Sequence, residues 1–480
     1  MHSASRAQII PRVDFRVKLL YGIGEVANAI KSIAFGLFTL FFYTTVMGLP
    51  GTWIGIVATI VLVWDATIDP YIGYLSDKAH FHFGRRHTFM LIGSLTMGVS
   101  FWLVFSPPQG LSRGVLLVWL LGSSLLARTA ISMYGVPYHA LGAELSQEYH
   151  ERTAITGIRG ILALLGTLAA ASLSFVVFFP DRTPGVDPKL NYAGYPTMGL
   201  AFGLVMTIAG LTATLGTLSR RCSSFPSGDA AEMSQPRRSF FANFSQSLYN
   251  PSFRVLFISF SLFFLGIVIN SMLSLHYLTY YVKITSSTTL SSCQFVLYIG
   301  AIVGIAFWLF VAKTVEKHRI YCLAALVTAA LMLAAFLLVG EGRLFGVGNI
   351  FPLLIGYALL GFFGSVLWFI PASMVADVVD EDELVTGRRR EGSFFGLFSF
   401  GPQLATGLSV LLTGVLVDKF AGLVPAQAQQ STQTVYRIGV LYSVLPALLV
   451  IAAAALILRY ALTQPRVVSI RVELDRRRTS

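Results

Sequence analysis

The sequence predicts an all-α integral membrane protein of twelve transmembrane helices in two six-helix bundles, with both termini cytoplasmic. Three observations carry that prediction. Composition is the first: 55% of the 480 residues are apolar and 12% are charged, against about 25% charged in an average soluble domain. An ordinary soluble enzyme, a disordered chain and a disulfide-stapled secreted scaffold are thereby excluded. The second is spacing. Apolar runs recur at about 16–46, 52–76, 88–106, 114–143, 154–179, 195–218, 253–283, 290–314, 320–340, 350–378, 393–421 and 434–462, each of the length a spanning helix needs. The third is a repeat at half the chain's length. Val136-Pro137 with Ala140, Glu144, Glu151 and Arg152 returns as Ile370-Pro371 with Ala372, Asp377, Glu381 and Arg388. The Gly73–Lys78 segment is echoed by Phe310–Lys317 at an offset of about 235 residues, and such repeats mark carriers built from two bundles around a midplane cavity.

A polar stretch at 219–252 separates the halves, so the chain divides into a bundle at 1–218, a cytoplasmic linker, a bundle at 253–462 and a basic tail at 463–480. The net charge of +12 raises the question of nucleic acid, and placement answers it. Twenty-five of the 35 Lys and Arg residues fall on the side of the termini, seven on the other side and three inside spans. That asymmetry is the positive-inside rule, and it reads as orientation and contact with anionic lipid headgroups, not nucleic-acid binding. The first apolar stretch lacks a small-residue cleavage site and is expected to remain as a span. Cys222, Cys293 and Cys322 are scattered and expected to be reduced. The glycines of Gly22-Ile23-Gly24 and Ala27 imitate a dinucleotide fingerprint, but no strand precedes them. No zinc-protease or nucleophile-elbow pattern occurs, so no enzymatic activity and no cofactor are expected.

Ionisable side chains inside spans each cost about 2.5–3.5 kcal/mol at the helix centre, which makes them functional candidates. Span 2 carries Asp65 and Asp69, four residues apart and so on one helical face. Such a pair can hold a small cation, sodium included, or a proton. Span 1 contributes Lys31, with Asn28 and Glu25 nearer the cytoplasmic end, and span 4 contributes a stripe of Arg128, Ser132, Gly135 and His139. Arg128 or Lys31 is expected to neutralise the aspartates when no cation is bound, or to grip an anionic group on a solute. Two charged loops stand at the membrane surface. Asp77, Lys78, Arg85 and Arg86 form one, beside Glu144 and Arg152; Asp377, Asp380, Asp382, Glu383, Arg388 and Arg389 form its counterpart. Salt-bridge latching of the inward gate is the role expected of them.

These residues resemble the glycoside-pentoside-hexuronide:cation symporter family of the major facilitator superfamily, whose members include melibiose permease and, more distantly, a sodium-dependent lysophospholipid symporter. Four blocks carry the likeness in order: Tyr21–Gly24; Trp64-Asp65 through Asp69-Pro70 with Gly73 and Gly84–Arg86; Pro137–Leu145 with Glu151–Thr153; and Ala376–Leu384 with Gly387–Gly392. The resemblance implies the major facilitator fold and cation-coupled symport by alternating access. It makes Asp65 and Asp69 the cation-site carboxylates and places Ser132 where sodium-coupled members have a threonine. The departures bear on substrate and ion. Ile68 stands where melibiose permease has an asparagine, which weakens sodium and favours proton coupling. Gln403 replaces a span 11 lysine, Ala29 and Gly135 replace the sugar-gripping aspartates, and Arg159 matches a substrate-cavity arginine of span 5. The expectation is a carrier for a small solute such as a glycoside, sugar or hexuronide, coupled to proton or sodium. A lipid or lysolipid carrier and a non-transporting receptor on the same fold are the alternatives. A monomer in a bacterial inner membrane is the expected setting.

Overall fold

A computed structural model describes residues 13–78, 83–146, 148–182, 187–218, 247–388 and 390–479. Twelve helices in it are long and apolar enough to cross a membrane. They are α1 (Phe15–Val46), α2 (Gly51–Lys78), α3 (Arg85–Phe105), α4 (Arg113–Glu144), α5 (Tyr149–Phe178), α6 (Gly194–Gly216), α7 (Pro251–Tyr281), α8 (Ser287–Val311), α9 (Lys317–Leu338), α10 (Ile350–Thr386), α11 (Glu391–Ala421) and α12 (Thr432–Ile457). A thirteenth helix, α13 (Gln464–Thr479), follows them. Twelve crossings return the chain to the side it left, so Phe15 and Gln464 share one face, called here the terminal face; the other is the far face. Residues 219–246, which make up most of the expected linker and include Cys222, lie outside the described residues, as does Arg389. Cys293 and Cys322 are buried free thiols.

Every apolar run read from the sequence is a helix, with one end displaced by a full two turns. The sequence reading closes the tenth span near 378, whereas α10 runs to Thr386 and stops at Gly387, a left-handed residue at φ 68°. Its last turns hold Asp377, Asp380, Glu381 and Asp382, which looked like loop residues. They continue the helix because Lys317, Arg390, Arg466 and Arg471 neutralise them. The basic tail is likewise a helix. Val467, Ile470 and Leu474 of α13 are buried against the second bundle, while Arg466 and Arg471 reach the acidic end of α10.

Small residues set the helix separations, since no hydrophobic force favours helix association within lipid. α3 meets α6 at Gly98 and Gly203, whose backbones touch where any Cβ would collide. α8 meets α10 in the same way at Gly361 against the Leu297 carbonyl. Between the halves, α2 packs on α11 through Gly51, Gly55 and Gly414, and α5 packs on α8. α1 and α7, counterparts in the repeat, both close with a π-helical turn, at Phe42–Val46 and Tyr277–Tyr281. There Thr44 Oγ1 lies 2.9 Å from Nε2 of the fully buried His276.

Glycine packing predicts an asymmetry. Gly203→Val forces α3 and α6 apart, which at about 1–3 kcal/mol for overpacking lowers the thermal midpoint by several degrees. Gly122→Val, where a Cβ meets nothing within 4 Å, leaves it unchanged. A thermal melt of both purified variants checks this.

Candidate functional site

Six charged side chains meet within the first half. Arg128 on α4 donates from Nη1 to Asp65 Oδ2 on α2 at 3.0 Å, and its guanidinium lies over the Phe35 ring of α1 at 5.2 Å. The neighbouring turn fixes that geometry: Trp64 Nε1 donates to Thr129 Oγ1 at 2.9 Å, so α2 and α4 are tied at adjacent residues. Lys31 on α1 forms no direct ion pair among the described residues but stands within electrostatic range of Arg128, Asp65, Asp69 and Glu25. Asp65 and Asp69 each keep one buried carboxylate oxygen with no hydrogen-bond partner. Two such oxygens on one helical face are acceptors for a proton or a cation. Among the described residues no group of three or more His, Cys, Asp or Glu side chains forms a metal cage.

The other half of the set is nearer the terminal face. Arg159 Nε on α5 lies 3.7 Å from Glu25 Oε2, and its Nη1 donates to His139 Nδ1 at 3.3 Å. Asn28 Nδ2 donates to Glu25 Oε1 at 3.3 Å. Arg159 stands within electrostatic range of Tyr21, whose hydroxyl donates to the Tyr138 carbonyl at 3.2 Å and whose ring stacks on that of Tyr138 with centroids 4.6 Å apart. Asn28, His139 and Arg159 therefore join into one network holding α1, α4 and α5 together. Ser132 and Gly135 are buried on α4, and Gln403 is exposed on α11.

What the charge-led reading missed is a pocket in the second half. A cavity of about 210 Å³ opens between α1 and helices α7, α8, α9, α10 and α12, and its lining carries no charge. Asn270, Gln294, Tyr298, Tyr357, Trp368 and Tyr442 supply its polar and aromatic surface, and Ser32 and Gly36 of α1 close it on the other side. Asn270 Nδ2 is fixed by the Tyr442 carbonyl at 2.9 Å, and Ser274 and Tyr357 share a hydrogen bond at 3.1 Å. None of Asn28, Lys31, Arg128, Gly135, His139, Arg159 and Gln403 lines it. The signal was present as uncharged polar residues at helical spacing: Asn270 and Ser274, Gln294 and Tyr298, each four apart on an apolar helix.

Among the described residues, the surface ion pairs form clusters that each stay within one half. Arg85 and Arg86 both reach Glu144 at 2.7 Å, Arg86 also pairs with Asp77 at 3.5 Å, Lys78 bonds the Tyr74 hydroxyl and Arg152 the Ser146 carbonyl. In the second half Asp377 holds Lys317 and Arg471, while Asp382 is paired by Arg390; the side chain of Arg388 is exposed. The hydrogen bonds that join the two halves cluster instead at the far face.

A profile of the MFS/sugar transport protein family matches residues 20–464. The chain belongs to that family. It is 26% identical to an uncharacterized symporter of Synechocystis sp., sll1374, over 97% of both chains. It is 23% identical to sodium-dependent lysophosphatidylcholine symporter 1 of Xenopus tropicalis, over 94% of this chain and 87% of that one. Among solved structures, a D-xylose-proton symporter superposes with a TM-score of 0.64 at 13% identity, covering 93% of this chain and 98% of the other. The fold is thus that of the major facilitator transporters, and the protein is a multi-pass membrane carrier of the symporter type.

The ion pair predicts different outcomes for the two aspartates. Asp65→Asn leaves Arg128 without its partner and lowers the thermal midpoint by the equivalent of about 1.5–3 kcal/mol. Adding Arg128→Gln recovers part of that loss. Asp69→Asn removes no ion pair and leaves the midpoint unchanged or raised. Melting the three variants in one detergent decides the matter, and equal losses for Asp65→Asn and Asp69→Asn would contradict the assignment.

Proposed function

We propose that this carrier couples entry of a proton to uptake of a sugar-like solute bearing a carboxylate, such as a hexuronide or its glycoside, by alternating access. The observation that carries this reading is the Asp65–Arg128 pair, with Lys31 beside it, across α1 from an uncharged pocket of amides and aromatic rings. Aromatic faces pack on the apolar faces of a pyranose ring, and the amides of Asn270 and Gln294 meet its hydroxyls with a donor and an acceptor each. A compact lining of this kind suits a glycoside better than an acyl chain, which calls for a continuous apolar slot.

Charge balance supplies the coupling. Lys31, Arg128 and Arg159 stand against Glu25, Asp65 and Asp69, so the empty cluster is formally neutral. A proton on Asp65 alone, or a solute anion alone, leaves one uncompensated charge in the membrane interior and opposes occlusion. Proton and anion together restore neutrality. Protonation of Asp65 also frees Arg128 from its 3.0 Å bond, and the released guanidinium, planar and always charged, is available to a carboxylate. The carrier then returns empty or crosses fully loaded, and the singly loaded forms are disfavoured.

Proton is favoured over sodium because Arg128 already occupies one face of Asp65 and, among the described residues, no third His, Cys, Asp or Glu side chain completes a cation cage with Asp65 and Asp69. The basic majority on the terminal face orients that face to the cytoplasm of a cell membrane. With the halves tied at the far face, the pocket is accessible from the cytoplasm in this conformation. Arg85, Arg86, Glu144 and Asp77, like Asp377 with its partners, then act as struts within each moving half, available as latches when the cytoplasmic side closes.

Counterflow in proteoliposomes tests this. A methyl hexuronide is expected to exchange, to accumulate when the outside is acidified without sodium, and to do so independently of an imposed membrane potential. Exchange of a neutral glycoside or lysophosphatidylcholine in its place, or dependence on sodium at fixed pH, would overturn the assignment. Arg128→Gln is expected to abolish accumulation.

A further inference from the structure

At the far face each half lends a carboxylate to the other. Asp181, just beyond α5 in the first half, accepts the Ser287 N–H at 2.9 Å and 3.1 Å, the Thr288 N–H at 3.4 Å and the Ser286 hydroxyl at 3.0 Å. Those residues open α8, which belongs to the second half. Asp418, in the last turn of α11 in the second half, accepts the Gly51 N–H at 2.8 Å and the Thr52 N–H at 2.6 Å. Those residues open α2, in the first half. Positions 51 and 287 are 236 apart and positions 181 and 418 are 237 apart, close to the offset at which the sequence repeats. The two crossings are one contact made twice.

The first-turn amides of a helix have no partner within the helix and carry the positive end of its dipole, so a carboxylate there forms charge-assisted bonds. Companion bonds follow the same pattern. Lys189 Nζ, fully buried and paired with Asp187, donates to the Ile284 carbonyl at 3.2 Å, and the Ala426 N–H donates to the Thr44 carbonyl at 3.1 Å. Burial pulls the Asp181 carboxyl upward, but hydrogen bonds from Ser287, Ser286 and Thr288 outweigh it and hold the group below the usual carboxylate range. It stays charged throughout the neutral pH range.

We propose that Asp181 and Asp418 are the paired latch of the far-face gate: positioning residues whose reciprocal caps hold the carrier open to the terminal face. The inference rests on alternating access but not on the solute or the ion. Opening the far face separates α2 from α11 and α5 from α8, so both caps must break together, and water must replace each carboxylate at the freed amides. Two caps in corresponding positions of the repeat, one lent by each half, keep that opening a rocking of whole halves.

The test needs no solute. In full-length protein in nanodiscs with Cys222, Cys293 and Cys322 replaced by serine, spin labels at Gln109→Cys and Leu344→Cys, both exposed at the far face, report its closure. A second pair at Glu148→Cys and Val385→Cys reports the terminal face. Asp418→Asn and Asp181→Asn are each expected to raise the ratio of far-open to far-closed molecules about tenfold, with the terminal-face distance shortening in step. The double variant is expected to exceed either. A fall in thermal midpoint with unchanged distance distributions would reduce both residues to local helix caps and overturn the latch. Should Asp418→Asn fail to assemble, Asp418→Ser keeps a short uncharged acceptor for the same measurement. Absence of solute exchange in the unaltered protein, with the redistribution intact, would count against the proposed transport activity and leave the latch standing.

Discussion

The bond between Arg128 and Asp65 is the interaction on which the first half of the molecule depends. A guanidinium within a bilayer is tolerated only beside an anion, and Arg128 has one at 3.0 Å. Around that bond the other helices take their places. α1 brings Phe35 under the guanidinium and Lys31 to the same charge cluster, α2 brings both aspartates, and α5 brings Arg159 to Glu25. Because three cations and three carboxylates cancel, the cluster holds six charged groups without a net charge. The same cancellation makes the arrangement responsive, since any single added charge unbalances it.

The second half solves a different problem with different residues. Its pocket carries no charged side chain, so it can hold a polyhydroxylated ring without a change in the electrostatics of closing. Polar groups there are already fixed, the Asn270 amide by the Tyr442 backbone carbonyl and the Tyr357 phenol by the Ser274 hydroxyl. Preorganisation of this kind lowers the ordering entropy of binding. α1 is the partition: Ser32 and Gly36 face the pocket while Lys31 faces the charges. Ring recognition and charge sensing thus fall on opposite sides of one helix.

That division explains what was legible in the chain before its structure was known. A charge in an apolar helix stands out against its neighbours, so Asp65, Asp69, Lys31 and Arg128 were identifiable individually and do converge. Asn270, Gln294 and Tyr298 do not stand out, because neutral polar residues are frequent in spans and become a site only when several helices bring them together. The end of α10 was misread for the converse reason. Asp377, Glu381 and Asp382 look like loop residues until Arg390, Arg466 and Arg471, two of them on a helix some eighty residues or more away, are placed beside them. Charge in sequence reads as exposure; charge in structure reads as pairing.

The distribution of contacts between the two faces follows from what rocking requires. Each half must move as a rigid body, so ion pairs that brace α2, α3 and α4, or α9, α10 and α13, belong inside a half. Contacts across the halves must form and part repeatedly. A carboxylate on a helix N-terminus meets that need, because water can take over both partners when they separate, at an aqueous surface where neither is left buried. A side-chain ion pair deeper in the seam would instead strand two charges in a low dielectric on every cycle. The far face therefore uses Asp181 and Asp418 against backbone amides, and the glycines of α2 and α11 just below them provide a seam with little side-chain interdigitation to undo.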